Sequence, residues 1–210
     1  MSLTFNRVLS LASIGAIATG LVACSEQTTS VNPVAPFTMA VTVTNLQPDD
    51  GLLLTPVFLA PQNGVYDMFD VGSPASPNVE SLVEDGTTDA RIEAAIASGG
   101  VSNEATATDG GPIAPGESRT VEFTVAADND LTQFLSYMSM VIPSNDAFIG
   151  NDDPQDIDLF DANGDPISRQ GDTAIIVTGD EVWDGGTEVN DEAASSTAAL
   201  GQEMNGAGTV

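Results

Sequence analysis

SRTVEFTVA, residues 118–126, is followed after a short polar segment by QFLSYMSMVI, residues 133–142. In the first stretch Val121, Phe123 and Val125 alternate with polar residues, the period of two of a half-buried strand. In the second, apolar residues fall on both faces, as in a central strand covered on two sides. Working outward, FTMAVTVTNL (37–46) repeats the alternation, with Phe37, Met39, Val41 and Val43 on one face. LQPDDG (46–51) is turn chemistry. LLLTPVFLA (52–60) is a further strand, in which Pro56 predicts an edge position or a bulge. PNVESLVEDG (77–86) and TTDARIEAAIASGG (87–100) change register and read as two short helices, one opening at Pro77 and the other near Thr88 or Asp89. DIDLFDANGDPIS (156–168) predicts two short strands joined at Asn163-Gly164. TAIIVT (173–178) predicts another strand. Strands do not alternate regularly with helices, which argues against a parallel α/β sheet. The expected fold is all-β: an antiparallel β-sandwich with a short helical insertion.

Composition sets outer limits on function. The 210 residues include 31 acids, four arginines, no lysine and no histidine, for a formal charge of −27. Such a surface repels nucleic acid and anionic lipid and suits cations and basic partners. The absence of histidine removes Ser-His-Asp and Cys-His catalysis and imidazole acid–base work. No phosphate-binding loop, GxSxG or CxxC is present. The expectation is therefore a protein that is not an enzyme.

The N-terminus reads as a targeting segment. MSLTFNR carries one charge, Arg7, and VLSLASIGAIATG is apolar but too short to span a bilayer. LVAC (21–24) follows and resembles the lipobox of bacterial lipoproteins, in which small residues precede an obligatory cysteine. The resemblance implies a lipid anchor on Cys24, cleavage before it, and, with Ser25 next, sorting to the outer membrane. Acyl chains at ~0.8 kcal/mol per buried CH₂ would hold the protein stably on a membrane. Cys24 is the one cysteine, so no intrachain disulfide forms. The domain reading is a signal peptide at 1–23, a polar Pro-containing tether at 24–36, a β-sandwich at 37–192 and a C-terminal tail at 193–210.

Hard-cation chemistry remains open, because calcium takes six to eight oxygens, usually presented on loops. Three stretches qualify. In MVIPSNDAFIGND (140–152), Pro143 stops a buried strand, and Asn145, Asp146, Asn151 and Asp152 surround Phe148 and Ile149. DANGD (161–165) resembles the opening of a helical calcium loop. Pro166 stands where that loop requires glycine, however, and Asp172 stands where it requires Glu, so a hairpin turn accounts for it better. In WDGGTEVNDE (183–192), Asp184 and Glu188 lie four apart across a Gly-Gly that must bend.

Five blocks carry a further resemblance: LTPVFLAPQNGVYDMFDVGSPAS (54–76), SLVEDG (81–86), APGESRTVEFTV (114–125), LSYMSMVIPSNDAFIG (135–150) and WDGGTEVNDE. In order and spacing the chain resembles the bacterial form of the spondin N-terminal domain family over about residues 36–192. The resemblance implies an antiparallel β-sandwich similar to C2 domains. Animal members are extracellular matrix and adhesion domains with a divalent cation bound at loops on one end. That implies a metal site, calcium or another divalent cation, at Asp184 and Glu188. These fall on the acidic positions of the family's Asp-Ala-Gly-Thr-Asp/Glu pattern. Asp146 is the third candidate ligand. Phe148 and Ile149 would then anchor the loop while the oxygens face the ion.

The chain departs from the family in three places. Gly185 replaces an alanine, a change expected to be harmless. The histidine of many bacterial relatives near Gln62-Asn63 is absent. The usual final strand is not evident after Glu192, so residues 193–210 are expected to pack poorly. Three function classes follow: a membrane-anchored binding or adhesion module for an extracellular protein or glycan, a structural envelope lipoprotein without ligand or metal, and a metal-dependent hydrolase using Asp and Glu.

Overall fold

The computed structural model describes residues 2–8, 35–167, 173–190 and 206–210. Cys24, most of the leader and tether, and residues 191–205 lie outside the described residues. Two antiparallel sheets account for most of the regular structure, with two short helices. The strands are β1 (Ser2–Val8), β2 (Phe37–Thr44), β3 (Leu53–Leu54), β4 (Phe58–Gln62), β5 (Thr106–Ala107), β6 (Ser118–Val125), β7 (Phe134–Ile142), β8 (Ala147–Gly150), β9 (Thr173–Ile176) and β10 (Val182–Asp184). The first sheet has the order β6-β2-β1-β9. The second has the order β10-β8-β7-β4-β5, with β3 also on β7.

The alternation in the sequence maps onto the space between the sheets. Met39, Val41, Val43, Phe123 and Val125 from the first sheet meet Leu59, Leu135, Tyr137, Val141 and Ile149 from the second in one core. Fully burying a side chain of this size contributes about 1.5–3 kcal/mol. The opposite face of the second sheet is covered as well. Helices α1 (Pro77–Asp85) and α2 (Asp89–Ala97) bring Val79, Leu82, Val83 and Ala95 onto Phe58, Ala60, Met138 and Phe148 in a second core. This explains why β7 is apolar on both faces: Leu135 through Val141 are all buried. Phe148 and Ile149 are likewise buried, one in each core.

Local signals act as expected at several points. Pro56 interrupts its strand, which is split into β3 and β4. Helix α1 opens at Pro77 and ends at Gly86, whose φ of 66° closes the last turn through its amide to the Leu82 carbonyl. The Asp161–Asp165 turn is a hairpin corner, closed by Asp161 N–H donating to the Asp165 carbonyl at 2.8 Å. The Asp161 carboxylate accepts from the Asn163 and Asp165 amides. Flanking it are isolated bridges, Phe134 to Asp158 and Phe160 to Pro166, in place of the two predicted strands.

Two terminal segments add to the fold. Ser2–Val8, in the expected leader, pairs antiparallel with β2 from Ser2↔Thr44 to Val8↔Thr38, and with β9 from Ser2↔Ile176 to Phe5↔Thr173. At the other end residues 207–209 are exposed, as poor packing of the tail would have it, but Val210 is held. Val210 packs on the second core, its amide donates to the Ser73 carbonyl at 3.0 Å, and its carbonyl accepts from Gly72 at 2.8 Å.

Candidate functional site

Strand pairing decides where the acidic loops go. β8 and β10 are antiparallel neighbours, with Asp184 opposite Ala147 and Trp183 opposite Phe148. The loop entering β8 and the loop leaving β10 therefore lie at the same end of the second sheet. Gly185 N–H closes the contact on the Asp146 carbonyl at 3.1 Å. A Cβ at Gly185 would stand 2.8 Å from Val83 Cγ2 and 3.1 Å from the Asp146 carbonyl oxygen. Here glycine lets the loop sit closer than alanine would, so Gly185 has a packing role.

Asp146 is the hub, with only 1% of its surface exposed. Its Oδ2 accepts from Thr187 N–H at 2.8 Å, Glu188 N–H at 3.0 Å and the Thr187 hydroxyl at 3.2 Å. Its Oδ1 is buried and has no hydrogen-bond partner. Glu188 is 3% exposed beside it. Sequence reasoning missed a third acid, Glu84, in the last turn of α1. One of its carboxyl oxygens is buried without a hydrogen bond. Burial is the main force pushing the Glu84 carboxyl above its ordinary range. The nearby Thr187 hydroxyl opposes this, while Glu188, Glu80 and Asp85 add to it. A hydroxyl has one proton, so Thr187 serves Asp146 or Glu84 and not both. The helix end concentrates the field. Glu84 and Asp85 sit at the negative pole of α1, and no basic residue occupies its last turn.

Asp184 occupies a different layer. It is exposed at the last position of β10. Its Oδ1 accepts from Gly186 N–H at 2.8 Å, and its Oδ2 accepts from Asn190 Nδ2. Asn190 Oδ1 in turn accepts from Asn145 Nδ2 at 2.9 Å. The two loops are thus tied twice: inside by Asp146 to Thr187 and Glu188, and outside by Asn145 through Asn190 to Asp184. Among the described residues no three acidic side chains gather closely enough to form a metal-binding group. The inner acids offer oxygen donors only, and one carboxyl oxygen each of Asp146 and Glu84 is buried without a hydrogen-bond partner. The one ion pair among the described residues, Arg119 to Glu117 at 3.1 Å, involves neither loop.

The C-terminal residues strap this end down. Gly206 N–H donates to the Thr187 carbonyl at 2.5 Å, and Gly208 N–H to the Gly186 carbonyl at 2.9 Å. Gly186 has φ 65°, and a Cβ there would stand 2.6 Å from Thr209 backbone atoms. The Gln62 side chain is fully buried. It donates to Ser136 at 3.2 Å and to the Pro154 carbonyl, and accepts from Gly64 N–H at 2.5 Å.

The chain matches no protein-family model and no curated protein. Among the described residues no helix is long and apolar enough to cross a membrane.

Proposed function

We propose that the chain is a cell-envelope lipoprotein, anchored through Cys24 in the outer membrane, whose spondin-type sandwich binds calcium where the Asp146 and Asp184–Asn190 loops meet. The stiffened loop end is presented as an adhesion module to an extracellular protein or glycan. The observation that carries the reading is the partnerless Oδ1 of the buried Asp146 carboxylate, with Glu188 and Glu84 close by. Burying carboxylates without a compensating charge is costly, and a divalent cation removes that cost. Asp146 would be the first ligand from the inner side, and Glu188 and Glu84 would have to move toward it, since no three acids of the described residues gather closely enough to hold an ion as they stand. Asp184 would reach it only by releasing Asn190, and carbonyls and water would complete the shell. Cleavage before Cys24 would remove β1 and leave the facing edges of β2 and β9 without it.

A second reading, a structural envelope protein without metal, draws on a different observation: Asp146 Oδ2 already holds the 187–188 loop by three hydrogen bonds. Thermal melting in calcium and in chelator separates the two. The calcium reading expects a higher melting temperature in calcium. It expects that gain to vanish in an Asp146→Asn, Glu188→Gln double variant. Equal melting temperatures of the unsubstituted protein in the two buffers would leave the structural reading.

A further inference from the structure

The chain has four arginines and no other basic residue, and one of them, Arg91 on α2, is buried to 4% exposure. Its guanidinium lies 5.4 Å from the Tyr66 ring centroid and 5.8 Å from that of Phe58. Those ring faces compensate part of its desolvation. They leave its hydrogen-bonding capacity unused, since Nε and Nη2 are buried and have no partner. These two nitrogens present parallel N–H bonds along one side of the guanidinium, the fork that takes a carboxylate through both oxygens. In a chain with 31 acids, none of the described ones forms an ion pair with it. Arg91 also lines a cavity of about 310 Å³ beneath the Tyr66–Asp70 segment. The same wall, through Tyr66 and Asp67, borders a second cavity of about 430 Å³.

The rest of the lining narrows the ligand. Asp67 and Asp70 stand on the same cavity, exposed to solvent, so a simple anion is repelled there as well as by the net charge of the chain. A ligand with an ammonium group turns that repulsion into attraction. Pro74, Ala75 and Ala94 add apolar surface to the remaining wall, beside the polar Ser76 and Asn78. We infer that this cavity is a binding site for a small zwitterion of the α-amino-acid type, its carboxylate on the Nε–Nη2 fork of Arg91 and its ammonium toward Asp67 and Asp70. Because Nε and Nη2 are closed off, a neighbouring side chain must turn aside for the carboxylate to reach the fork, and we assign that movement to Tyr66, the lining residue whose ring lies nearest the guanidinium. The site is separate from the acidic loops and does not depend on calcium there.

The test uses the full chain in chelator, with L-alanine as the titrant and acetate and methylamine as half-ligands. The expected result is a rise in melting temperature with L-alanine and none with either half alone. Arg91→Met keeps length and apolar packing while removing the charge. It should fold with an undiminished melting temperature, because a buried charge is replaced by an apolar side chain. Its affinity for L-alanine in calorimetry should fall by at least about tenfold, the ratio expected for one charge-assisted hydrogen bond. Asp67→Asn should weaken L-alanine while leaving acetate ineffective. The inference is overturned if L-alanine neither stabilises nor binds, if acetate acts as strongly, or if Arg91→Met binds as the unsubstituted protein does. Should Arg91→Met fail to fold, Arg91→Lys decides, since it keeps the charge but loses the fork. Unchanged affinity in Arg91→Lys would overturn the inference.

Discussion

Asp146→Ala isolates what the loop junction contributes. The carboxylate receives two backbone N–H groups, from Thr187 and Glu188, at 2.8 and 3.0 Å. Hydrogen bonds to a charged acceptor contribute about 1.5–3 kcal/mol each, so removing both costs about 3–6 kcal/mol. The substitution also removes the buried Oδ1 that has no donor, a relief of about 1–3 kcal/mol. At the midpoints of these ranges the net loss in chelator is about 2.5 kcal/mol, or roughly 5–10 °C in melting temperature for a domain of this size. Calcium should widen the gap. An ion at a hundredfold excess over its dissociation constant adds about 2.7 kcal/mol to the protein that binds it and nothing to the variant. The difference then becomes about 5 kcal/mol. Urea unfolding followed by tryptophan fluorescence, in calcium and in chelator, measures both numbers. A loss below about 1 kcal/mol in chelator would refute the argument that Asp146 holds the loop. An identical loss in the two buffers would refute the argument that it holds a cation.

Three other outcomes follow from the same geometry. Gly186→Ala places a side chain in the left-handed region, at about 1–2 kcal/mol, and drives its Cβ into Thr209. Amide exchange at Gly208 and Val210 should quicken, and unchanged protection there would contradict the strap. The Glu84, Asp67 and Asp156 carboxyls are all raised, chiefly by burial. A carboxyl raised in the folded state stabilises fully below its unfolded value, 4.5 for Glu84, and loses that contribution as pH rises through the folded value. Without calcium, the Glu84 contribution should therefore be lost as pH rises above about 4.5. Glu84→Gln should flatten the slope, and a slope unaltered by it would count against the assignment. Finally, β1 is the partner that β9 shares with the rest of its sheet. The amides of Thr173–Ile176 should exchange faster in residues 24–210 than in the full chain, and equal rates would show that Ser2–Val8 does not hold that position in solution.

Much of the fold was legible because its signals are local. The alternation in Ser118–Val125, the two apolar faces of Phe134–Ile142 and the break at Pro56 each act within a few residues. The candidate site was legible only in part, because its composition is local and its assembly is not. Asp146, Asp184 and Glu188 could be singled out as oxygen-rich turns. Nothing within WDGGTEVNDE distinguishes Asp184, committed to Asn190 on the outside, from Glu188, buried against Asp146. That division follows from the register of β8 on β10. Glu84 was hidden for a similar reason: its helix had to be placed on the outer face of the second sheet before its last turn could meet Thr187. Arg91 left a trace, since it shares a helical face with Ala95 four residues on, and both are buried. The terminal strap gave no signal, because AGTV lacks the period of a strand and is held by close backbone contact at glycines.

The shared cation is tested most directly through Trp183, the only tryptophan in the chain. Its indole N–H donates to the Gly150 carbonyl at 3.0 Å, and it immediately precedes Asp184 at the mouth of the two loops. Terbium, a hard trivalent stand-in for calcium, emits when excited through a nearby indole. The account predicts tryptophan-sensitised emission that saturates at one ion per chain, is displaced by calcium and is lost in the Asp146→Asn, Glu188→Gln variant. No sensitised emission, or emission that the double variant retains in full, would contradict it.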